Sequence, residues 1–127
     1  MKKIINTTNA PSPVGPYNQS VAHNGVLYMS GQIALNPANG ELVMDNIEVE
    51  THQVMKNIKA VLTEAGLTFE DVLKCSIFVS DMGNYARINT VYAEYFNEKT
   101  APARELVEVA NLPKYVNIEI SVIAAMK

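Results

Sequence analysis

The segment Val116-Asn117-Ile118-Glu119-Ile120-Ser121-Val122 alternates without a break. Val116, Ile118, Ile120 and Val122 face one way, and Asn117, Glu119 and Ser121 face the other. A period of two belongs to a strand, here one with unlike faces. Its apolar face needs cover from elsewhere in the chain. Its polar face holds a carboxylate in mid-strand, between two isoleucines.

The rest of the chain supplies the cover. Ile47, Val54, Met55, Ile58, Val61, Leu62 and Ala65 recur at helical spacing, which predicts a helix from Ile47 to Ala65 with Gly66 as its stop. Ser80-Asp81 can cap a second helix with the stripe Tyr85, Ile88, Tyr92 and Tyr95-Phe96, running to about Asn97. Gln19–Ala22 and Val26–Ser30 read as a hairpin around His23-Asn24-Gly25, where Asn-Gly supplies the positive φ angles of a tight turn. Thr68-Phe69-Glu70-Asp71 reads as a capped turn into a strand, Leu73–Val79. Glu105–Val109 and Val116–Ala124 are the last strands, joined through Asn111-Leu112-Pro113-Lys114.

Strands, helix, strand, helix and two strands predict one α+β domain over residues 1–127, with both helices on one face of a mixed sheet. The other face would carry Tyr28 or Met29, Phe78 or Ile77, and Ile123, among Glu119 and Asn117. It is too apolar to stay wet and too polar for a private core. Burial against further copies, a homo-oligomer, is the expectation.

Composition narrows the functional classes. The chain has 127 residues, 48% hydrophobic and 18% charged, which excludes bulk disorder and suits a single core. Ten Lys+Arg against thirteen Asp+Glu give a net charge of -3, and no basic run exceeds Lys2-Lys3. The footprint of a general nucleic-acid binder is missing. The one cysteine, Cys75, excludes an internal disulfide and a thiolate zinc site, and it reads as a buried small hydrophobe. His23 and His52 are the only histidines and form no metal-ligand set, so no metal is expected. The start of the chain is too short in apolar residues for a signal peptide, and no run approaches the ~20 residues of a membrane span. A cytoplasmic protein without membrane contact is expected. No phosphate-binding glycine loop, zinc-protease helix or nucleophile elbow is present.

Three places hold candidate chemistry. Prolines at 11, 13 and 16 make Ala10–Pro16 a stiff extended loop that delivers Tyr17 at its end, a plausible wall for a site. Thr100-Ala101-Pro102-Ala103-Arg104 places an arginine at a strand mouth after a small, proline-bearing loop. Guanidinium is a planar fork suited to a carboxylate. On spacing alone, though, the plainer reading is an ordinary surface arginine. Glu119 likewise reads first as a solvent-facing strand residue. If its face is buried in an oligomer, it becomes a desolvated carboxylate with raised proton affinity.

Taken together, Val14-Gly15-Pro16-Tyr17, Ser30-Gly31-Gln32, Asn36-Pro37, Pro102-Ala103-Arg104, Val107-Glu108-Val109, Leu112-Pro113-Lys114 and Ile118-Glu119-Ile120 resemble the Rid/YjgF/RutC-like family. The resemblance is nearest to its RidA branch, the 2-iminobutanoate/2-iminopropanoate deaminases. It runs from Asn9 to Ala124 in family order. It implies a chorismate-mutase-like α+β fold and a homotrimer whose sheets form an inner barrel, with sites in the clefts between subunits. It implies hydrolysis of reactive enamines and imines to 2-oxo acids and ammonia, with no cofactor.

By position, the resemblance makes Arg104 the carboxylate-binding arginine and Glu119 the glutamate that handles the attacking water. It makes Tyr17 an aromatic wall, and Ser30, Gly31 and Asn89 cleft positions. Two departures stand out. Leu106 occupies a position where many members have cysteine, and Ser121 one where many have a second glutamate. The first argues against thiol side chemistry, and the second changes the polar surroundings of Glu119. A non-catalytic trimer that binds small 2-oxo acids would use the same arginine. Ribonuclease and chaperone-like roles, also associated with the family, need a basic patch or no Arg104 at all.

Overall fold

A computed structural model describes all 127 residues. Its strands are β1 (Lys3–Ile5), β2 (Ser20–His23), β3 (Val26–Gln32), β4 (Val72–Val79), β5 (Ala103–Glu108) and β6 (Ile118–Ala125). Its helices are α1 (Ile47–Glu64) and α2 (Tyr85–Tyr92). One sheet holds the strands in the order β1-β2-β3-β6-β4-β5. All neighbours run antiparallel except β4 and β5, and α2 lies on the crossover that joins this parallel pair.

The alternating segment is a central strand. Its apolar set, Ile118, Ile120, Val122 and Ala124, is buried with Leu27 and Met29 of β3 and Cys75, Ile77 and Val79 of β4. Val54, Met55, Ile58, Val61 and Leu62 of α1 and Ile88 and Tyr92 of α2 close this layer. Each large side chain fully buried here contributes roughly 1.5–3 kcal/mol. Asn46 caps α1 by accepting from the Val49 N–H at 2.8 Å, and Gly66 follows the helix at φ +76°. Cys75 is a free, fully buried thiol, as its apolar surroundings in the sequence suggested.

The two open alternatives on the second face are resolved by register. Tyr28 pairs with Ile123, and Phe78 with Glu119, on the face away from the helices; Met29 and Ile77 point into the core. No helix covers the row Ile4, Val21, Tyr28 and Ile123, and Ile4 and Tyr28 are exposed. The mixed sheet face inferred from the sequence is therefore bare in the single chain.

Several boundaries differ from the sequence reading. The short edge strand β1 has no sequence signal, because three residues carry too little periodicity. Asp81 caps a 3₁₀ turn, Met82–Asn84, and α2 begins at Tyr85. It ends at Tyr92 rather than near Asn97, where Glu94 N–H to Val91 C=O and Tyr95 N–H to Tyr92 C=O bonds tighten the chain into 3₁₀ turns. These turns bring Tyr95 and Phe96 against Phe69. β5 begins at Ala103, so Arg104 lies inside the strand rather than at its mouth. Ahead of β6, Lys114 and Tyr115 sit at φ +54° and +56°, left-handed values that non-glycine residues rarely adopt.

The fully buried Glu50 of α1 holds the entry to β6. Its carboxylate accepts from the Asn117 N–H and side-chain amide, both at 2.8 Å. Asn117 Oδ1 in turn accepts from Ser80 Oγ at 3.1 Å. One buried acid thus joins the helix layer, the end of β4 and the start of the strand that carries Glu119.

Candidate functional site

Glu119 projects from β6 onto the bare face, beside Phe78. Gly31 lies next to it on β3, within the register shift between Met29 and Gln32. A Cβ at position 31 would stand 2.7 Å from Glu119 Cδ, so glycine is what lets the carboxylate lie against the β3 backbone. The cavity here measures about 220 Å³, and Tyr17, Gly31, Gln32, Pro113, Lys114 and Glu119 are among its walls. Glu119 is half-buried and pairs with no cation. Desolvation alone pushes its proton affinity above the ordinary carboxylate range.

The proline loop is pinned to this place by Gln19, which is buried. Its amide nitrogen donates to the carbonyls of Thr7, Ala10 and Pro11, and its oxygen accepts from the Thr7 N–H at 2.7 Å. Ser30 supports the same loop. Its hydroxyl donates to the Asn18 carbonyl at 2.7 Å, and its N–H donates to the Gln19 carbonyl. Ser30 thus braces the wall and does not itself line the Glu119 cavity.

Arg104 lies on the opposite face. It pairs with Cys75, which in turn pairs with Val122, and that row points to the helices. Its Nη2 donates to Asn89 Oδ1 at 2.8 Å and to the Tyr85 hydroxyl at 3.0 Å. Its Cζ stands 4.8 Å from the Tyr92 ring centroid, a cation–π distance. Beside it opens a cavity of about 550 Å³, walled by Asn89, Tyr92, Phe96, Ala101, Pro102 and Arg104. The Tyr92 hydroxyl is buried without a hydrogen-bond partner. Burial pushes both the Tyr92 phenol and the neighbouring Cys75 thiol upward, so Cys75 is held as an unreactive thiol.

The six residues named by resemblance therefore form two groups. Tyr17, Gly31 and Glu119 meet at one cavity, with Ser30 behind them. Arg104 and Asn89 meet at another, across the sheet. Within one chain the arginine and the glutamate do not share a site. Leu106 follows Arg104 on the same face of β5 and packs partly against the core, and Ser121 faces Ser76 on the bare side. His52 lines neither cavity. Its Nδ1 lies 2.7 Å from the Tyr95 hydroxyl and its Nε2 3.7 Å from Glu94.

Sequence reasoning missed Lys114, Gln19 and Tyr85. Lys114 had a signal, the Pro-Lys turn directly before the alternating strand. Gln19 and Tyr85 had none, since a buried amide and a tyrosine in an apolar stripe declare their partners only after folding.

The Gly31 contact gives a direct expectation. Gly31→Ala should displace the Glu119 side chain, a flexible end that can move, while changing the urea unfolding free energy by less than about 1 kcal/mol. Any activity that depends on Glu119 should fall at least tenfold. Unfolding curves beside steady-state rates check both halves.

A six-stranded mixed sheet with two helices on one face, a bare second face and a cavity on each side defines a small α+β protein of the YjgF-like type. The chain belongs to the Rid/YjgF/RutC family: the family model described as Endoribonuclease L-PSP matches residues 7–126. It is 50% identical over 125 residues to the RutC family protein slr0709 of Synechocystis, covering 98% of this chain and 96% of that one. The crystal structure of YyfA of the Rid family, from Yersinia pestis, superposes with a TM-score of 0.96 at 48% identity, covering 99% of this chain and all of the other. Escherichia coli TdcF with bound serine superposes with a TM-score of 0.92 at 38% identity, covering 98% of this chain and 99% of the other. No helix is long and apolar enough to cross a membrane.

Proposed function

We propose that this protein hydrolyses small 2-imino acids and their enamine tautomers, 2-iminobutanoate and 2-iminopropanoate, to 2-oxo acids and ammonia, as in the RidA branch. The observation that carries this reading is the unpaired guanidinium of Arg104 beside a cavity. Of the two arginines, Arg87 is held by both oxygens of Glu48, while Arg104 has no carboxylate partner. A carboxylate is the natural complement of that group. The serine bound to TdcF, an amino acid of similar size, supports a ligand with a carboxylate.

Three copies complete the site in this reading. The bare sheet faces pack into an inner barrel, and each cleft takes Arg104 and Asn89 from one copy and Tyr17, Gly31 and Glu119 from the next. Arg104 holds the substrate carboxylate. Glu119, ionised, accepts a proton from water as its oxygen adds to the C=N carbon and returns it to the nitrogen, giving a carbinolamine. The same carboxylate then takes the carbinolamine hydroxyl proton and passes it to the nitrogen as the C–N bond breaks, so the C=O forms and ammonia leaves. An imine is already electrophilic, so orientation and a placed base suffice, with no cofactor.

A threonine dehydratase supplying the imine tests this. Added protein should accelerate imine loss and ammonia release well above the spontaneous rate, with 2-oxobutanoate as product. Binding of 2-oxobutanoate without acceleration would favour the non-catalytic, regulatory reading. Because burial raises the proton affinity of Glu119, the protein-dependent rate should fall on the acid side at a pH above the usual carboxylate range. Glu119→Gln should lose at least tenfold in rate, together with that acid limb. The net charge of -3 gives a ribonuclease reading no electrostatic support.

A further inference from the structure

Tyr85 belongs to the apolar stripe of α2 by spacing, yet it is exposed, and its hydroxyl is bonded to Arg104. A phenylalanine would serve the stripe equally well. Within the chain, the one partner of that hydroxyl is Arg104.

The guanidinium has five N–H donors. Tyr85 and Asn89, one helical turn apart, both accept from Nη2 and take its two protons. Tyr92, a further turn along, places its ring under Cζ. Nη1 and Nε are left without a partner in the chain. A four-torsion side chain is thereby held in one orientation by three residues of one helix. Both two-donor edges of a guanidinium, Nη1/Nη2 and Nε/Nη2, include the occupied Nη2, so a ligand carboxylate meets Nη1 or Nε singly. The Tyr85 hydroxyl accepts this bond through a lone pair and keeps its own proton as a further donor.

Resting on the carboxylate-clamp reading above, we propose that Tyr85 is a positioning residue for Arg104: by holding Nη2 it fixes the guanidinium plane, so that the free Nη1 donates to the carboxylate of a small 2-oxo or 2-imino acid. Ordering a long arginine side chain before the ligand arrives removes an entropic cost from binding.

The test is a double-mutant cycle read by 2-oxobutanoate titration, followed by calorimetry or chemical shifts, with the thermal midpoint as control. Tyr85→Phe should weaken binding about fivefold in the Arg104 protein at an unchanged midpoint. In an Arg104→Lys background the same change should weaken binding less than twofold, because an ammonium is a point charge with no plane to orient. Unchanged or tighter binding in the Arg104 protein, or an equal loss in both backgrounds, overturns the proposal. The titration needs no turnover, so absence of imine hydrolysis would sink the deaminase reading and leave this result standing. If the wild type binds no 2-oxo acid, the clamp reading falls and the role of Tyr85 falls with it.

Discussion

Arg104→Ala should lower kcat/KM for dehydratase-supplied 2-iminobutanoate by about two orders of magnitude, the effect of losing about 3 kcal/mol of charge-assisted hydrogen bonding. A small imino acid has one strong handle, its carboxylate. The interaction holds ground state and transition state alike and also sets orientation, so KM should rise and kcat should fall. Arg104→Lys keeps the charge but neither the planar set of donors nor the reach to both Tyr85 and Asn89, and should lie between alanine and wild type. The fold should survive. The side chain is half-buried, and its removal uncovers Asn89 and the Tyr92 ring at the edge of the core rather than opening a hole within it. Steady-state kinetics with circular dichroism and oligomer mass as controls decide the matter. A folded, fully active Arg104→Ala protein would place the carboxylate clamp elsewhere.

Mixing two inactive proteins should restore activity. Arg104 and Glu119 stand on opposite faces of one sheet, so a site that uses both must draw them from different copies. Arg104→Ala and Glu119→Gln should each retain only a few per cent of wild-type turnover. Refolded together at equal amounts into trimers with head-to-tail sites, about one site in four receives both an intact arginine and an intact glutamate, so about a quarter of wild-type activity should return. Simple mixing without subunit exchange should return none and serves as the control. No recovery in trimers shown by mass to be mixed would contradict the shared cleft. A monomeric mass at micromolar concentration would do so sooner.

Much of this architecture was legible in the residues because it rests on local periodicity. The alternation around Glu119 survives as β6 from Ile118 onward, whereas Asn117 lies ahead of the strand and turns its amide to Glu50 of α1; the stripe from Ile47 is α1, and Asn24-Gly25 is a hairpin turn. These patterns are readable because a strand or helix must turn its apolar side to the core wherever that core lies. Boundaries were less legible. The early end of α2 follows from Tyr95 and Phe96 finding Phe69, a contact between segments far apart in the chain.

The chemistry of the site was legible as residue types and not as an arrangement. Arg104 and Glu119 stand out by type and by family resemblance. That they point away from each other follows from a parallel β4–β5 pairing beside an antiparallel β4–β6 pairing. Register of that kind depends on which strands meet, and a one-residue slip would have put both side chains on one face. The same holds for the Tyr85, Asn89 and Tyr92 cradle and for the glycine beneath Glu119. The sequence by itself determined which elements form and which faces they bury, because those are set by neighbours a few positions away. Only the tertiary structure decided which side of the sheet each functional group occupies, because that is set by pairings across the whole chain.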